Sequence, residues 1–268
     1  MSAARLWFDA ALGIVRRDAQ IFFSYRTRFL TQNVGIIFSL SLFYYLSRLV
    51  RVGQFSDPGE YFAFVTVGLI ILGVLRSTFS SPLQLRQELV AGTFERMVLS
   101  PFGPVSSIVA MLVFPFLLAL STAALTLLLA ALVFGLDVAW STAALALPVG
   151  MIGALAFMPV SLIFCASVVV YKQAPGANYV LALISLVAGF YFPVSLLPSW
   201  IRWTSEIQPF TPAVDLMRHV LVGLPLQGSA AGDVARLCGF AVVLMPVGLL
   251  ILGAAVRKAR TRGTIIEY

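Results

Sequence analysis

The amino-acid sequence predicts an all-α polytopic membrane protein, from its composition and from the length of its apolar runs. Of the 268 residues, 60% are hydrophobic and 11% are charged, whereas soluble domains hold about 45–50% apolar and about 25% charged residues. So little charge cannot keep a folded surface soluble, and disorder requires the opposite balance. Apolar runs of roughly 20 residues are long enough to cross a bilayer as helices. Six such spans are predicted, at 29–50, 61–80, 105–136, 142–171, 179–197 and 234–256.

Ahead of the first span, residues 4–24 have the pattern of an amphipathic helix. Arg16, Arg17 and Gln20 fall on one helical face, and Trp7 and Ile14 lie mostly opposite. Such a helix lies along a membrane surface with its arginines at the headgroups. Two roles stay open for it, a simple interfacial anchor and a relay of motion.

Each span has a recognisable boundary or interruption. Arg28 and Arg48 bracket the first span, and Arg76 with the polar Ser77–Ser81 follows the second. Prolines occur in the other four spans, where neighbouring helices and hydroxyl groups can satisfy the freed carbonyls. These are Pro115 in the third span, Pro148 and Pro159 in the fourth, Pro193 in the fifth and Pro246 in the sixth.

The distribution of positive charge predicts the orientation. With the N-terminus inside, thirteen of the 18 lysines and arginines fall in inner segments and five in outer ones. Cytoplasmic loops carry such an excess, so both termini are predicted to be cytoplasmic. No separate hydrophilic domain interrupts the pattern, and residues 1–268 are predicted to form one membrane domain.

Several kinds of chemistry are missing from the sequence. The lysines, Lys172 and Lys258, follow Tyr171 and Arg257, whereas a phosphate-binding Walker loop requires glycine before its lysine. The single histidine, His219, excludes zinc motifs built on several histidines. We therefore predict no catalytic residue, no metal site and no cofactor bound by this chain.

Ionisable residues are also nearly absent from the span interiors. Proton-coupled transporters commonly place such residues at mid-membrane, so proton coupling is disfavoured. This absence indicates energy delivered by another subunit and an apolar or amphipathic route for the substrate.

Two segments outside the spans resemble a known family. The run Glu88-x-x-x-Gly92-Thr93-Phe94-Glu95-Arg96-Met97, followed by Ser100-Pro101, closely resembles the first cytoplasmic loop of type-2 ATP-binding-cassette (ABC) exporter permeases. The strings Phe192-Pro193-Val194-Ser195-x-x-Pro198-x-Trp200, Gln208-Pro209-Phe210-Thr211-Pro212 and Leu216-x-Arg218 are similar to the family's segment between spans five and six. Gln208 departs from the Asn-Pro that many members carry. The resemblance covers roughly residues 20–256 and is closest to bacterial drug, lipooligosaccharide and polysaccharide exporters.

This resemblance implies partners and a coupling site. It implies two copies of an ABC ATPase subunit, which bind ATP and Mg²⁺, and a second permease copy in a bacterial inner membrane. A homodimer is expected, with a paralogous partner left open. Residues 82–96 correspond to the coupling helix that docks on the ATPase, although an interfacial helix with solvated charges is the alternative. The coupling residues are then Gln87, Glu88, Gly92, Thr93, Phe94, Glu95 and Arg96.

The segment after the fifth span is predicted to form two short re-entrant helices on the outer side. Trp200, Trp203, Ile207 and Phe210 share the apolar face of the first helix. Ala213, Leu216, Met217 and Val220 share that of the second, with Asp215, Arg218 and His219 pointing outward. The residues proposed to form this exit cap are Pro198, Trp200, Trp203, Pro209, Phe210, Pro212 and Arg218. A passive lid and a gate both stay open.

The function predicted first is the membrane subunit of an ATP-driven exporter. It would move a lipid-linked glycan, a lipid or a drug outward, in contact with membrane lipids and without a nucleic-acid partner. The alternatives are a self-sufficient channel or secondary carrier and, less favoured, a membrane-embedded enzyme.

Overall fold

The chain is mostly helical in the part that a computed structural model describes, which is residues 3–49, 55, 57–173, 176–226 and 228–262. No strand occurs within those ranges, so the all-α prediction is confirmed. The helices are α1 (Ala3–Ser24), α2 (Arg26–Leu49), α3 (Pro58–Phe79), α4 (Ser81–Val90), α5 (Thr93–Leu99), α6 (Pro104–Met111), α7 (Val113–Phe134), α8 (Trp140–Ala143), α9 (Ala146–Tyr171), α10 (Ala177–Val187), α11 (Ser199–Glu206), α12 (Phe210–Val222) and α13 (Ala230–Thr261). A short 3₁₀ helix covers Val194–Leu196.

Four helical stretches of the described chain are long and apolar enough to cross a membrane. They are Pro58–Val90, Pro104–Phe134, Ala146–Tyr171 and Ala230–Thr261. Asn33–Leu49 and Ala177–Val187 are shorter apolar helices. This pattern fits a polytopic membrane protein. The predicted limit of the first span at residue 50 and the two ends of the predicted domain lie outside the described residues.

The predicted fifth span, 179–197, is wrong in its second half. Helix α10 ends at Val187, where the Ala188 N–H donates to the carbonyl of Ile184. Gly189 then takes a left-handed backbone conformation with φ +78°, which glycine adopts at no steric cost. The chain turns there, and residues 189–193 leave the helical path.

Proline also breaks the predicted third span. Helix α6 ends at Met111 and α7 begins at Val113, because Pro115 has no N–H to donate to the Met111 carbonyl. The predicted fourth span starts later than expected, at Ala146, after the separate short helix α8. Pro148 is the third residue of α9, where the N–H groups have no partner within the helix in any case.

Helix α3 lies at the centre of the packing, against α2, α7, α9 and α12. Helices α9 and α13 pack along each other, closely enough that a Cβ on Gly248 would lie 3.2 Å from Pro159 Cα. One apolar cluster joins α4, α5, α6, α9 and α13, and another joins α3, α9 and α12. The bundle therefore has an α4–α5 end and an α11–α12 end, which α3 connects.

Candidate functional site

Two adjoining cavities form a groove along α3. Most of α3 is buried, but Gly73 and Arg76 are exposed. One cavity of about 820 Å³ lies between α3 and α1, α2 and α7, and another of about 950 Å³ lies between α3, α4 and α10. Leu72, Arg76, Ser80 and Leu83 line both cavities. The two cavities are thus the two sides of one groove, here called the α3 groove.

The cavity between α3 and α1, α2 and α7 is amphipathic. On the α7 side, hydroxyl groups alternate with apolar side chains, but their protons are already used within the helix. Thr122 donates to the Ala119 carbonyl at 2.9 Å, and Thr126 donates to the Thr122 carbonyl at 2.7 Å. The strongest polar groups lie near the α4 end of this cavity, where Arg17, Asp18 and Glu88 line the wall.

Two aromatic rings stack between α2 and the segment after α10. The rings of Phe43 in α2 and Tyr191 after α10 stack with centroids 5.8 Å apart and an interplanar angle of 17°. Tyr61 near the start of α3 donates its hydroxyl to the Tyr191 carbonyl at 3.4 Å. This Phe43–Tyr191 pair joins α2 to the segment after α10. Tyr191 also lines the second cavity.

The N-terminal helix is held to α4 by charge. Arg17 Nη2 lies 3.0 Å from Glu88 Oε1 and 2.8 Å from Asp18 Oδ1. Burial raises the pKa of the Asp18 carboxyl, and the adjacent Arg17 opposes that shift. Asp18 Oδ2 has no hydrogen-bond partner among the described residues. We call this contact the Arg17–Glu88 junction.

The predicted coupling helix, 82–96, is divided in two at Gly92. The backbone of Gly92 has φ +70°, the left-handed conformation that ends helices, and the Gly92 N–H donates to the Leu89 carbonyl at 3.2 Å. Thr93 then donates its hydroxyl to Glu88, to the carbonyl at 3.2 Å and to the carboxylate at shorter range. The single helix predicted over residues 82–96 is therefore two helices, α4 ending at Val90 and α5 beginning at Thr93.

The predicted coupling residues occupy three different environments. Gln87, Gly92 and Arg96 are exposed, and Thr93 and Glu95 are half-buried. Glu88 is engaged by Arg17 and Thr93. Phe94 is 1% exposed and packs in the apolar cluster with Leu85, Leu89 and Met97. Phe94 therefore packs inside the turn, while Arg86, Gln87 and Arg96 are exposed polar residues on its surface.

Two short helices, α11 and α12, occur where the sequence predicts them. Trp200 and Trp203 on α11 and Ile207 just after it are exposed, and Trp203 Nε1 donates to the Trp200 carbonyl at 2.8 Å. Phe210 is buried, with its ring centroid 4.6 Å from that of Phe157. Pro209 and Pro212 are buried beside it, and Pro198 caps the start of α11.

The predicted apolar face of α12 is buried, but of the three residues predicted to point outward only His219 is exposed, and Asp215 is half-buried. Ala213, Leu216, Met217 and Val220 are buried and His219 is exposed. The prediction that Arg218 points outward is wrong, because its side chain is buried and the residue is 4% exposed.

Arg218 joins α12 to α3 and to the segment after α10. Its Nη2 donates to the carbonyls of Gly189 at 2.6 Å and Phe190 at 3.3 Å, and its Nε donates to the Phe64 carbonyl at 3.2 Å. Its Nη1 lies 3.4 Å from Asp215 Oδ1, and its guanidinium carbon lies 3.3 Å from the centroid of the Phe64 ring. These contacts satisfy the buried carbonyls that the chain frees by leaving the helix at Gly189.

Sequence reasoning missed this hub and the close approach beside it. A Cβ on Gly68 would lie 2.0 Å from the Phe190 carbonyl oxygen, so the backbone of the 189–193 segment rests directly on α3. The signals were present but weak. Gly68 is a glycine inside an apolar run, and Arg218 stands four residues after Val214 and three before Leu221, both apolar.

The model of the ABC-2 type transporter family matches residues 13–222, which include the α3 groove, the Arg17–Glu88 junction and α11–α12. No curated protein matches the chain.

Proposed function

Since this chain belongs to the ABC-2 type transporter family and is the membrane subunit of an ABC transporter, we propose that it exports an amphipathic or hydrophobic substrate. Members of this family work with an ABC ATPase. Two ATPase copies and a second copy of this chain then complete the transporter. The chain crosses a bacterial inner membrane six times, with α2 and α10 as the two shorter crossings and both termini on the cytoplasmic side.

The α3 groove is the observation that carries the transport proposal. Its two cavities hold about 820 and 950 Å³, which is the size range of sites for whole organic ligands. Hydroxyls and arginines share its walls with leucines, so an amphipathic substrate finds a partner for each of its parts. The Phe43–Tyr191 pair then serves as the barrier toward the outer side, where α11 and α12 form the exit cap.

The α4–α5 turn is the proposed docking surface for the ATPase. Arg86, Gln87 and Arg96 are exposed around the left-handed turn at Gly92, so they are free for charged and polar groups of a partner. Helix α4 follows α3 with only Ser80 between them. The Arg17–Glu88 junction ties α1 to the same element. A displacement of this turn by the ATPase would therefore be transmitted to α3, which forms the floor of the groove, and to α1.

Reconstitution distinguishes this proposal from a self-sufficient channel or carrier. We expect no ATP hydrolysis by the purified chain alone, and hydrolysis together with transport when the ATPase is co-expressed. Transport by the chain alone, or hydrolysis by it, would contradict the proposal.

Charge reversal at the turn tests the docking surface. In Arg86→Glu/Arg96→Glu, two attractive charges become repulsive, and like-charge juxtaposition at an interface costs several kcal/mol. We expect at least about a tenfold loss of ATPase co-purification. Arg257→Glu, a reversal of an exposed charge on α13, is the matched control and should leave co-purification unchanged. Equal retention of the ATPase by both variants would place the contact elsewhere.

Cysteine labelling tests the orientation of α11. Cys165 is buried and Cys238 is exposed, so Cys238→Ser provides the background. In intact cells, a membrane-impermeant maleimide should label Glu206→Cys and Arg202→Cys, which replace exposed side chains, but not Trp203→Cys, which lipid covers under this proposal. Lys258→Cys should react only after lysis. Labelling of Glu206→Cys only after lysis would reverse the topology.

A further inference from the structure

The cavity between α3, α4 and α10 carries positive charge that no carboxylate opposes. Arg76 and Arg86 line it, and its described lining holds no aspartate or glutamate. Both arginines are exposed, and neither makes an ion pair or hydrogen bond with any residue that the structure describes. A cleft lined by charge of one sign concentrates ligands of the opposite sign.

The cavity on the other side of α3 differs in this respect. There the guanidinium of Arg17 already lies 2.8 Å from Asp18 and 3.0 Å from Glu88. Two carboxylates thus neutralise the cation that α1 contributes. The cavity on the α10 side of the groove is therefore the one expected to bind an anion. Arg76 lies at the boundary between the two cavities.

The rest of this cavity is uncharged and is lined by both polar and apolar side chains. Ser80, Gln173, Asn178 and Ser185 supply uncharged polar groups. The apolar part of the lining includes Leu72, Phe79, Val168, Leu181 and Ala182. A volume of about 950 Å³ exceeds what a small inorganic ion fills. The lining therefore suits a molecule with one anionic group and an attached apolar part.

We infer that this cavity binds the phosphate headgroup of an anionic amphipath. Arg76 and Arg86 hold the phosphate, since a guanidinium presents paired N–H donors to phosphate oxygens, and the apolar part lies along Leu72 and Leu181. The inference rests on the proposed function in one respect, because it takes the amphipath to be the cargo. A resident membrane phospholipid has the same chemistry, and the experiment separates the two.

Binding is measured on the full chain in phosphatidylcholine nanodiscs. The probe is a fluorescent phosphatidylglycerol, compared with a phosphatidylcholine that carries the same label and tails. We expect the wild type to prefer the phosphatidylglycerol probe about tenfold or more, the scale of one hydrogen bond to a charged group. Arg76→Gln/Arg86→Gln should lose this preference. Inorganic phosphate should compete only weakly, since it lacks the apolar part.

Two further variants make the result interpretable. Arg257→Gln, an exposed arginine outside the groove, should keep the preference, and Arg76→Lys/Arg86→Lys should keep most of it while retaining the charge. Monodisperse gel filtration of every variant verifies folding. An unchanged preference in Arg76→Gln/Arg86→Gln, an equal loss in Arg257→Gln, or inorganic phosphate that competes as well as phosphatidylglycerol would overturn the inference.

The cargo is distinguished from a resident lipid after reconstitution with the ATPase. ATP should move the labelled phosphatidylglycerol to the opposite leaflet, where dithionite quenches it, and should do so less in Arg76→Gln, which leaves the proposed docking residues unchanged. ATP hydrolysis with the bound probe left in place would overturn the assignment as cargo. Absence of any ATPase partner would instead overturn the proposed function, while arginine-dependent binding would still be measured in the nanodiscs.

Discussion

Replacing Gly68 by alanine is expected to unfold or strongly destabilise the protein. The added Cβ would lie 2.0 Å from the Phe190 oxygen, 2.8 Å from its carbonyl carbon and 3.0 Å from its Cα. These are backbone atoms, so no side-chain rotation relieves the clash. Overpacking commonly costs about 1–3 kcal/mol, and occasionally more. Here the displaced segment also carries two carbonyls that Arg218 binds, so we expect the upper end of that range or beyond.

The neighbouring glycine Gly73 provides the control. It lies on the same helix, but a Cβ there would meet nothing within 4 Å. Gly73→Ala should leave stability unchanged or raise it by up to about 1 kcal/mol, because alanine loses less backbone entropy on folding. The measurement is thermal unfolding of the detergent-solubilised protein, followed by size-exclusion chromatography. Similar midpoints for Gly68→Ala and Gly73→Ala would mean that the Phe190 carbonyl does not rest on α3.

The sequence predicts the helices well where local chemistry sets them. Glycine at 92 and proline at 115 act within a few residues of their own position, so breaks near both could be expected from the sequence. The apolar face of α12 could also be predicted, because helical spacing alone places Ala213, Leu216 and Met217 on one side. Such features need no knowledge of what the helix packs against.

The rest of the site depends on contacts between segments far apart in the chain. Helix α10 stops at Val187 because the chain can turn at Gly189 and rest on Gly68, more than a hundred residues earlier. Arg218 turns inward because that turn leaves carbonyls for it to bind. A charged residue on a short amphipathic helix is exposed more often than not. The sequence of α12 therefore predicted, wrongly, that Arg218 is exposed.

Helix α3 connects the exit cap, the groove and the docking turn in the proposed mechanism. Its first half is fixed to the α11–α12 end through Gly68 and Arg218, its second half forms the floor of the groove, and α4 follows with the docking turn. A rigid helix of this kind can transmit displacement between distant sites. Weakening the anchor at one end should therefore affect stability most, whereas changes at the docking turn should affect coupling.

Removing Arg218 is expected to cost more than any other single charge deletion in α12. Arg218→Met would leave the Gly189 and Phe190 carbonyls and the Asp215 carboxylate without their cation. Breaking a buried pair by removing one partner typically costs about 3–5 kcal/mol. Arg218→Lys should recover part of this, because lysine restores the charge but not the planar fork that serves several carbonyls at once.

The matched control is Arg202, which also donates to two backbone carbonyls, those of Ser195 at 2.7 Å and Leu197 at 3.0 Å. Arg202 is exposed, so water can replace it, and Arg202→Met should cost less than about 1 kcal/mol. Adding Asp215→Asn to Arg218→Met should restore part of the lost stability, since it removes the orphaned carboxylate but not the orphaned carbonyls. Thermal midpoints in detergent measure all four variants. If Arg202→Met and Arg218→Met lower the midpoint equally, burial does not decide the cost, and Arg218 is not the anchor that holds α12 to α3.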